Sequence, residues 1–281
     1  METVTINELQ KSHLIELLTE LKELADSFIL IGGQALPYFT ERPRPTKDID
    51  FVLDVFALQN ASKSIADVLN KLNYKIVDEA RNFQFFKEIN PELKVRIEFL
   101  AVEKEKRKNN IRVDVQKNIH ARACTGAEIA IKESYNEYLR GFLPNGKPAE
   151  VKIRVVRPHA LLMLKLYAMD DRYQNIRGPD EANHDRNESR IHSADIISVI
   201  HGQIKRPEFA TNFWSQFNTE IELRERAKNI ISKYYDTIDS PGIRLYAEFL
   251  QLQIGSINET ELARALREMK FLLGHSTPKN D

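Results

Sequence analysis

Residues 28–53 read FILIGGQALPYFTERPRPTKDIDFVL. Phe28-Ile-Leu-Ile31 is a short apolar run that predicts a buried strand, and it ends on Gly32-Gly33. A brief helix is expected through Leu36, closed by the proline-rich Arg42-Pro-Arg-Pro45, and Ile49–Leu53 predicts the next strand. Residues i and i+2 of a strand share a face, so Asp48 and Asp50 project side by side. Two adjacent carboxylates repel unless a cation lies between them. Hard oxygen donors suit Mg²⁺, which keeps some waters and takes other ligands from phosphates. Alone, an Asp-x-Asp at an exposed strand edge says little, because so short a pattern recurs by chance.

The neighbours add weight. Gly32 and Gly33, at a strand-to-helix turn, let backbone approach a phosphate closely, and a helix start offers unpaired N–H groups and a positive dipole end. The plain alternative is an ordinary turn. Arg44 and Thr46, spaced as Arg-x-Thr-x-Asp-x-Asp, supply a cation and a hydroxyl beside the same face, and prolines 43 and 45 stiffen the approach. Two-metal phosphoryl transfer needs a further carboxylate. Val95–Val102 (VRIEFLAV) places Glu98 in an otherwise apolar strand, with Arg96 on the same face. An acid there is costly unless it binds metal or pairs with Arg96 or another cation, and both readings stay open. Asp114 (RVDV), after a charged loop, ranks below Glu98.

Outward from this segment, Thr5-Ile-Asn-Glu8 reads as a capping box before a helix over Leu9–Leu24. A helix is expected over 57–72, strands at Tyr74–Val77, Phe83–Lys87 and Val95–Val102, and a further strand at Ile111–Val115. The stretch up to 150 then predicts a helix and a Gly/Pro loop, before Val151–Val156 alternates like a strand. Helices are expected over 158–173, 188–202, 210–234, 241–253 and 258–273, with a loop at 174–187. The fold class is α+β: a mixed sheet with helices in residues 1–156, and a helical lobe in 157–281.

At 281 residues, 42% apolar and 29% charged, the chain has the makeup of a globular protein able to bury a core. It has no apolar run of bilayer length, so no membrane partner is expected, and its acidic, mixed N-terminus does not read as a signal peptide. The lone Cys124, read as a core thiol, excludes an internal disulfide framework and points to a cytoplasmic protein. Its 41 basic and 41 acidic residues cancel, so a nucleic-acid partner would need a local basic patch. Two clusters qualify, Lys104–Lys108 with Arg112, Lys117 and Arg122, and Arg172, Arg177, Arg186 and Arg190; each is interspersed with acids and reads equally as a solvated face.

The segment LIGGQALPYFTERPRPTKDIDFVLD resembles the first motif of the polymerase-β-like minimal nucleotidyltransferases, and within them the AbiEii and MenT toxins of toxin–antitoxin and abortive-infection systems. Gly32, Gly33, Arg44, Thr46, Asp48, Ile49 and Asp50 carry the match. VRIEFL resembles the second motif, where Asp is commoner than the Glu98 found here. PHALLMLKLYAMDDR resembles the helix whose lysine contacts the triphosphate, which maps to Lys165. Bottom-up, a lysine on so apolar a helix either snorkels or pairs with an acid. Ser193-Ala-Asp195 resembles the helix carrying a further acid of the site, although RIHSADI departs from the usual Lys-Asp-x-x-Asp. Residues beyond 200 have no counterpart.

The resemblance implies a Mg²⁺-dependent nucleotidyltransferase that moves a nucleoside monophosphate from an NTP to an acceptor hydroxyl, on a tRNA 3′ end or a protein. It implies a toxin with a cognate antitoxin. Asp48, Asp50 and Glu98 would hold two Mg²⁺ ions and serve catalysis; Gly32, Gly33, Arg44, Thr46, Lys165 and Asp195 would serve the nucleotide, with Asp195 supporting Lys165 or the metal shell. The alternatives are an antibiotic adenylyltransferase and a nucleotide-binding module without turnover.

Overall fold

The computed structural model describes residues 6–41, 44, 46, 48–59, 61–77, 83–102, 112–175, 178 and 181–275. Thr5 of the expected capping box, Arg42, prolines 43 and 45, the charged run 104–108 and Arg177 lie outside the described residues. The chain divides into two compact units, residues 1–35 with 44–157, and residues 36–43 with 158–281. The α+β class holds: a mixed sheet precedes a helical region.

The first unit runs α1 (Ile6–Leu21), β1 (Phe28–Ile31), α2 (Gly32–Ala35), β2 (Asp48–Leu53), α3 (Val55–Gln59), α4 (Ile65–Lys71), β3 (Lys75–Ile76), β4 (Gln84–Asn90), β5 (Leu93–Val102), β6 (Arg112–Gln116), β7 (Ile119–Cys124), α5 (Ala127–Lys132), β8 (Ser134–Phe142) and β9 (Pro148–Val156). Among the described residues the strands form one sheet in the order β3-β4-β5-β2-β1-β9-β8, with the β6–β7 hairpin joined through β7 to β5. β1 is buried along its whole length, as a central strand covered on both faces requires. β2 and β5 alternate instead. Ile49, Phe51, Val95, Ile97 and Phe99 are fully buried, while Asp48, Asp50 and Glu98, on the opposite parity, are half-buried.

The apolar parity builds the core. Phe28 meets Phe51 and Phe99 edge-on, with ring centroids 5.5 and 5.7 Å apart, and Phe85 lies 5.4 Å from Phe99. Such edge contacts add to the area buried by each ring. α1 covers this face: Glu16 accepts a 2.8 Å bond from Lys87, whose register partner on β5 is Val95. The carboxylates therefore stand on the other side of the sheet from α1 and the phenylalanines.

The helical unit holds α6 (Pro158–Gln174), α7 (Ala182–Gln203), α8 (Phe209–Ser215), α9 (Ile221–Tyr235), α10 (Pro241–Ile254) and α11 (Glu259–Gly274). α6 is buried without interruption from His159 to Tyr167, as its nearly continuous apolar sequence dictates. Residues 36–43 belong to this unit, where Gln203 of α7 donates a 2.8 Å bond to the Phe39 carbonyl.

Several expectations change, and the loop expected over 174–187 gives way to α7 from Ala182. The helix over 57–72 is two helices, because Ser64 caps a new start by accepting from the Asp67 N–H at 3.2 Å. The helix over 210–234 is likewise divided into α8 and α9. The region before 150 contains a full hairpin, β8 paired antiparallel with β9 from Ser134↔Val156 to Phe142↔Pro148. Its alternation is inverted in character, since Tyr138 and Phe142 are each 63% exposed. No described helix is long and apolar enough to cross a membrane.

Candidate functional site

Strand pairing assembles the acids. β1 pairs antiparallel with β2, setting Ile31 opposite Asp50. β2 pairs in parallel with β5, setting Asp48 opposite Arg96 and Asp50 opposite Glu98. Partners in register share a face, so Asp48, Asp50, Arg96 and Glu98 form one patch, and Gln84 of β4 joins it as the antiparallel partner of Glu98.

The glycine turn closes tightly against this patch. Gly32 has φ +68°, and a Cβ there would fall 1.9 Å from Asp50 Oδ2. A Cβ on Gly33 would fall 2.8 Å from both Cβ and Oγ1 of Thr46. The motif's own side chains thus occupy the space the glycines leave, and Gly-Gly, Thr46 and Asp50 are sterically one feature. The helix that starts at Gly32 spans only four residues, so its dipole is short. Arg44 is half-buried, and Thr46 makes one long contact, Oγ1 to the Asp48 carbonyl at 3.5 Å.

Glu98 is engaged on both oxygens. Its Oε2 accepts from Gln84 Nε2 at 2.8 Å, and its Oε1 lies 2.7 Å from Arg122 Nη2. The partner cation is therefore Arg122 of β7; Arg96, its same-strand neighbour, points to solvent. The topology explains this. One edge of β5 pairs with β2 along 96–101, and the other pairs with β4 up to Glu98 and then with β7 from Leu100. Glu98 sits where β4 gives way to β7, within reach of side chains from both. Gln84 and Arg122 were not singled out from sequence as partners of this acid, and their only sequence signal is a polar residue on the matching parity of a strand.

Asp114 lies elsewhere, on the β6–β7 hairpin. Its side chain is 78% exposed and accepts from Arg112 Nε at 3.1 Å, with His120 Nδ1 at 3.0 Å. Burial, with help from Arg112, lowers the His120 pKa against the opposing pull of Asp114. Cys124 ends β7 half-buried, more open than a core thiol.

Lys165 and Asp195 meet within the helical unit. Lys165 Nζ of α6 lies 2.7 Å from Asp195 Oδ2 of α7, with side chains 8% and 1% exposed. Asp170 of α6 ties to α9, accepting from Tyr234 at 2.9 Å and from Arg226 at 3.4 Å. The second basic cluster is committed to acids: Arg172 to Asp185 at 3.3 Å, and Arg186 and Arg190 to Glu248 at 2.6 and 2.7 Å.

As to metal, the donor chemistry fits Mg²⁺: Asp48 and Asp50 offer hard oxygens from one strand face. Among the described residues, no three His, Cys, Asp or Glu side chains stand together as a ready cluster. Glu98 fits as a third ligand only if it exchanges Arg122 for the ion.

A family model described as nucleotidyl transferase AbiEii toxin, type IV TA system, matches residues 16–192. That span runs from α1 into α7 and includes every residue singled out above for the nucleotide except Asp195. No curated protein matches the chain.

Proposed function

We propose a reaction on one premise: the chain belongs to the AbiEii family of nucleotidyl transferase toxins of type IV toxin–antitoxin systems. The family implies a nucleotide substrate and an antitoxin partner. The reaction is attack of an acceptor hydroxyl, at a tRNA 3′ end or on a protein, on the α-phosphate of an NTP; the α–β phosphoanhydride breaks, the nucleoside monophosphate is transferred and pyrophosphate leaves. The supporting observation is the parallel register of Asp50 with Glu98, with Asp48 two residues away and Gly32 packed under the Asp50 carboxylate.

Asp48 and Asp50 would hold Mg²⁺, with Glu98 joining them. An ion held by these residues would supply neutralisation of the charge that develops on the transferred phosphoryl group. Asp50 is fixed by β1 on one side, β5 on the other and the glycine turn beneath, so its carboxylate is positioned before substrate arrives. Glu98 would accept the acceptor's proton, and Arg44, Thr46 and the glycine turn would orient the nucleotide. For Lys165 the family resemblance suggests the triphosphate as ligand, with Asp195 orienting its ammonium.

The test is incorporation of label from each α-labelled NTP, with Mg²⁺, into total tRNA or protein. Transfer should disappear in Asp48→Ala and Asp50→Ala, and unchanged transfer would sink the assignment. The pairing of Glu98 with Arg122 favours a second reading, a nucleotide-binding module without turnover. NTP binding without transfer to any acceptor would decide for it. Expression of the toxin should arrest growth, relieved by its antitoxin.

A further inference from the structure

We propose that Arg122 is a positioning residue that competes with the divalent cation for Glu98, and so sets how much cation the site needs. The proposal rests on the metal reading of Asp48, Asp50 and Glu98 given above. Each Glu98 oxygen has a separate protein partner, Gln84 for Oε2 and Arg122 for Oε1. A carboxylate joining a cation must bring at least one oxygen to it, and the two partners are not equivalent as obstacles. Gln84 is neutral, and its amide can stay on Oε2 while Oε1 turns to an ion. Arg122 carries a full charge beside Oε1, which accepts no hydrogen bond among the described residues, so a cation arriving there meets the repulsion of the guanidinium.

The pair is neither buried beyond exchange nor loose in solvent. The Glu98 side chain is 16% exposed and that of Arg122 is 33% exposed. Solvent therefore screens the attraction only in part, and the guanidinium has an open side toward which to withdraw. The arrangement follows from the fold. Arg122 is in register with Leu100 and shares the parity of Glu98, so its side chain rises on the carboxylate face one step along β5. Without a cation, Arg122 offsets the negative charge that Glu98 adds beside Asp50. With a cation bound, that role passes to the ion.

The test is calorimetric titration of Mn²⁺ into the full chain without nucleotide, a readout separate from turnover. Arg122→Gln should bind Mn²⁺ about tenfold more tightly than the wild type, the lower end of what one nearby charge does to a carboxylate's affinity for a cation. Arg122→Lys, which keeps the charge, should stay within about twofold. In Arg122→Gln combined with Glu98→Gln the gain should vanish. Equal or weaker binding in Arg122→Gln, in a variant whose thermal unfolding remains cooperative, overturns the proposal, as does a gain that survives in the double variant. Asp50→Asn separates this from the underlying reading. If it leaves wild-type Mn²⁺ binding unchanged, the metal assignment itself fails, whereas its loss together with an unresponsive Arg122→Gln rejects the role of Arg122 alone.

Discussion

On the sheet unit Asp48, Asp50 and Glu98 stand half-buried on one face with like charges in neighbouring positions. In the helical unit Lys165 and Asp195 are buried together, and Asp170 and Asp185 each have a cationic partner on another helix or turn of the chain. The second pattern is self-contained: each buried charge meets its opposite, as burial requires. The first gathers like charges on one strand face, and their mutual repulsion is what a cation held as proposed would offset. Loss of a carboxylate should therefore change stability differently in the two units.

Asp50→Asn gives the largest effect. Transfer should fall on the order of ten-thousandfold, as when one member of a concerted catalytic group is removed. Its melting temperature should hold or rise, because the substitution relieves repulsion on the carboxylate face. A variant that is both inactive and clearly destabilised would break the contrast. Asp195→Ala is the counterpart in the helical unit. It leaves Lys165 buried without its acid and should cost about 3–5 kcal/mol in denaturant unfolding. Pairing it with Lys165→Met should recover much of that loss. If the double variant is no more stable than the single one, the pair is not the source of the cost.

Gly32→Ala probes how tightly the glycine turn positions the carboxylate. The new methyl would start 1.9 Å from Asp50 Oδ2, so Asp50 must move. A displacement of that size should lower kcat about a hundredfold. The positive φ adds roughly 1–2 kcal/mol of strain to the folded state. Activity near that of the wild type would mean that Asp50 does its work from another rotamer.

The first motif is legible in the sequence because its geometry is local. Two carboxylates at i and i+2 share a face whatever the rest of the chain does, and the run of Phe28–Ile31 into two glycines defines the neighbouring turn. Glu98 is legible as an acid in an apolar strand, but its partner is not. Arg96, two residues away on the same strand, is the obvious choice, and Arg122 wins because β5 exchanges β4 for β7 along one edge. That is a fact of tertiary pairing with no local signature. Lys165 and Asp195 are also joined across two helices, a link that the family resemblance suggests and no local pattern carries. Strand β8 escapes notice for another reason: Tyr138 and Phe142 face outward while Glu137 is half-buried, so the usual inside–outside contrast is missing.

The smallest effect tests the rim of the helical unit, where ion pairs meet solvent. The Arg186 hydrogen bond, outweighing burial and aided by Arg190, holds the Glu248 carboxyl below its usual value of 4.5. A carboxyl with a depressed folded-state pKa contributes stability that is fully present above its unfolded value. That contribution is lost as pH falls through the folded value. Glu248→Gln removes the charge at every pH, so it should cost less than about 1 kcal/mol at pH 7, since Arg186 is 59% exposed and the pair is screened. The gap between wild type and variant should then close as pH drops below 4.5, because protonated Glu248 resembles glutamine. Denaturant unfolding at pH 7, 5 and 3 reads this directly. A gap that stays constant across the series would mean that Glu248 acts through packing of its side chain between α7 and α10, and that charge at the rim adds nothing to the contrast between the units.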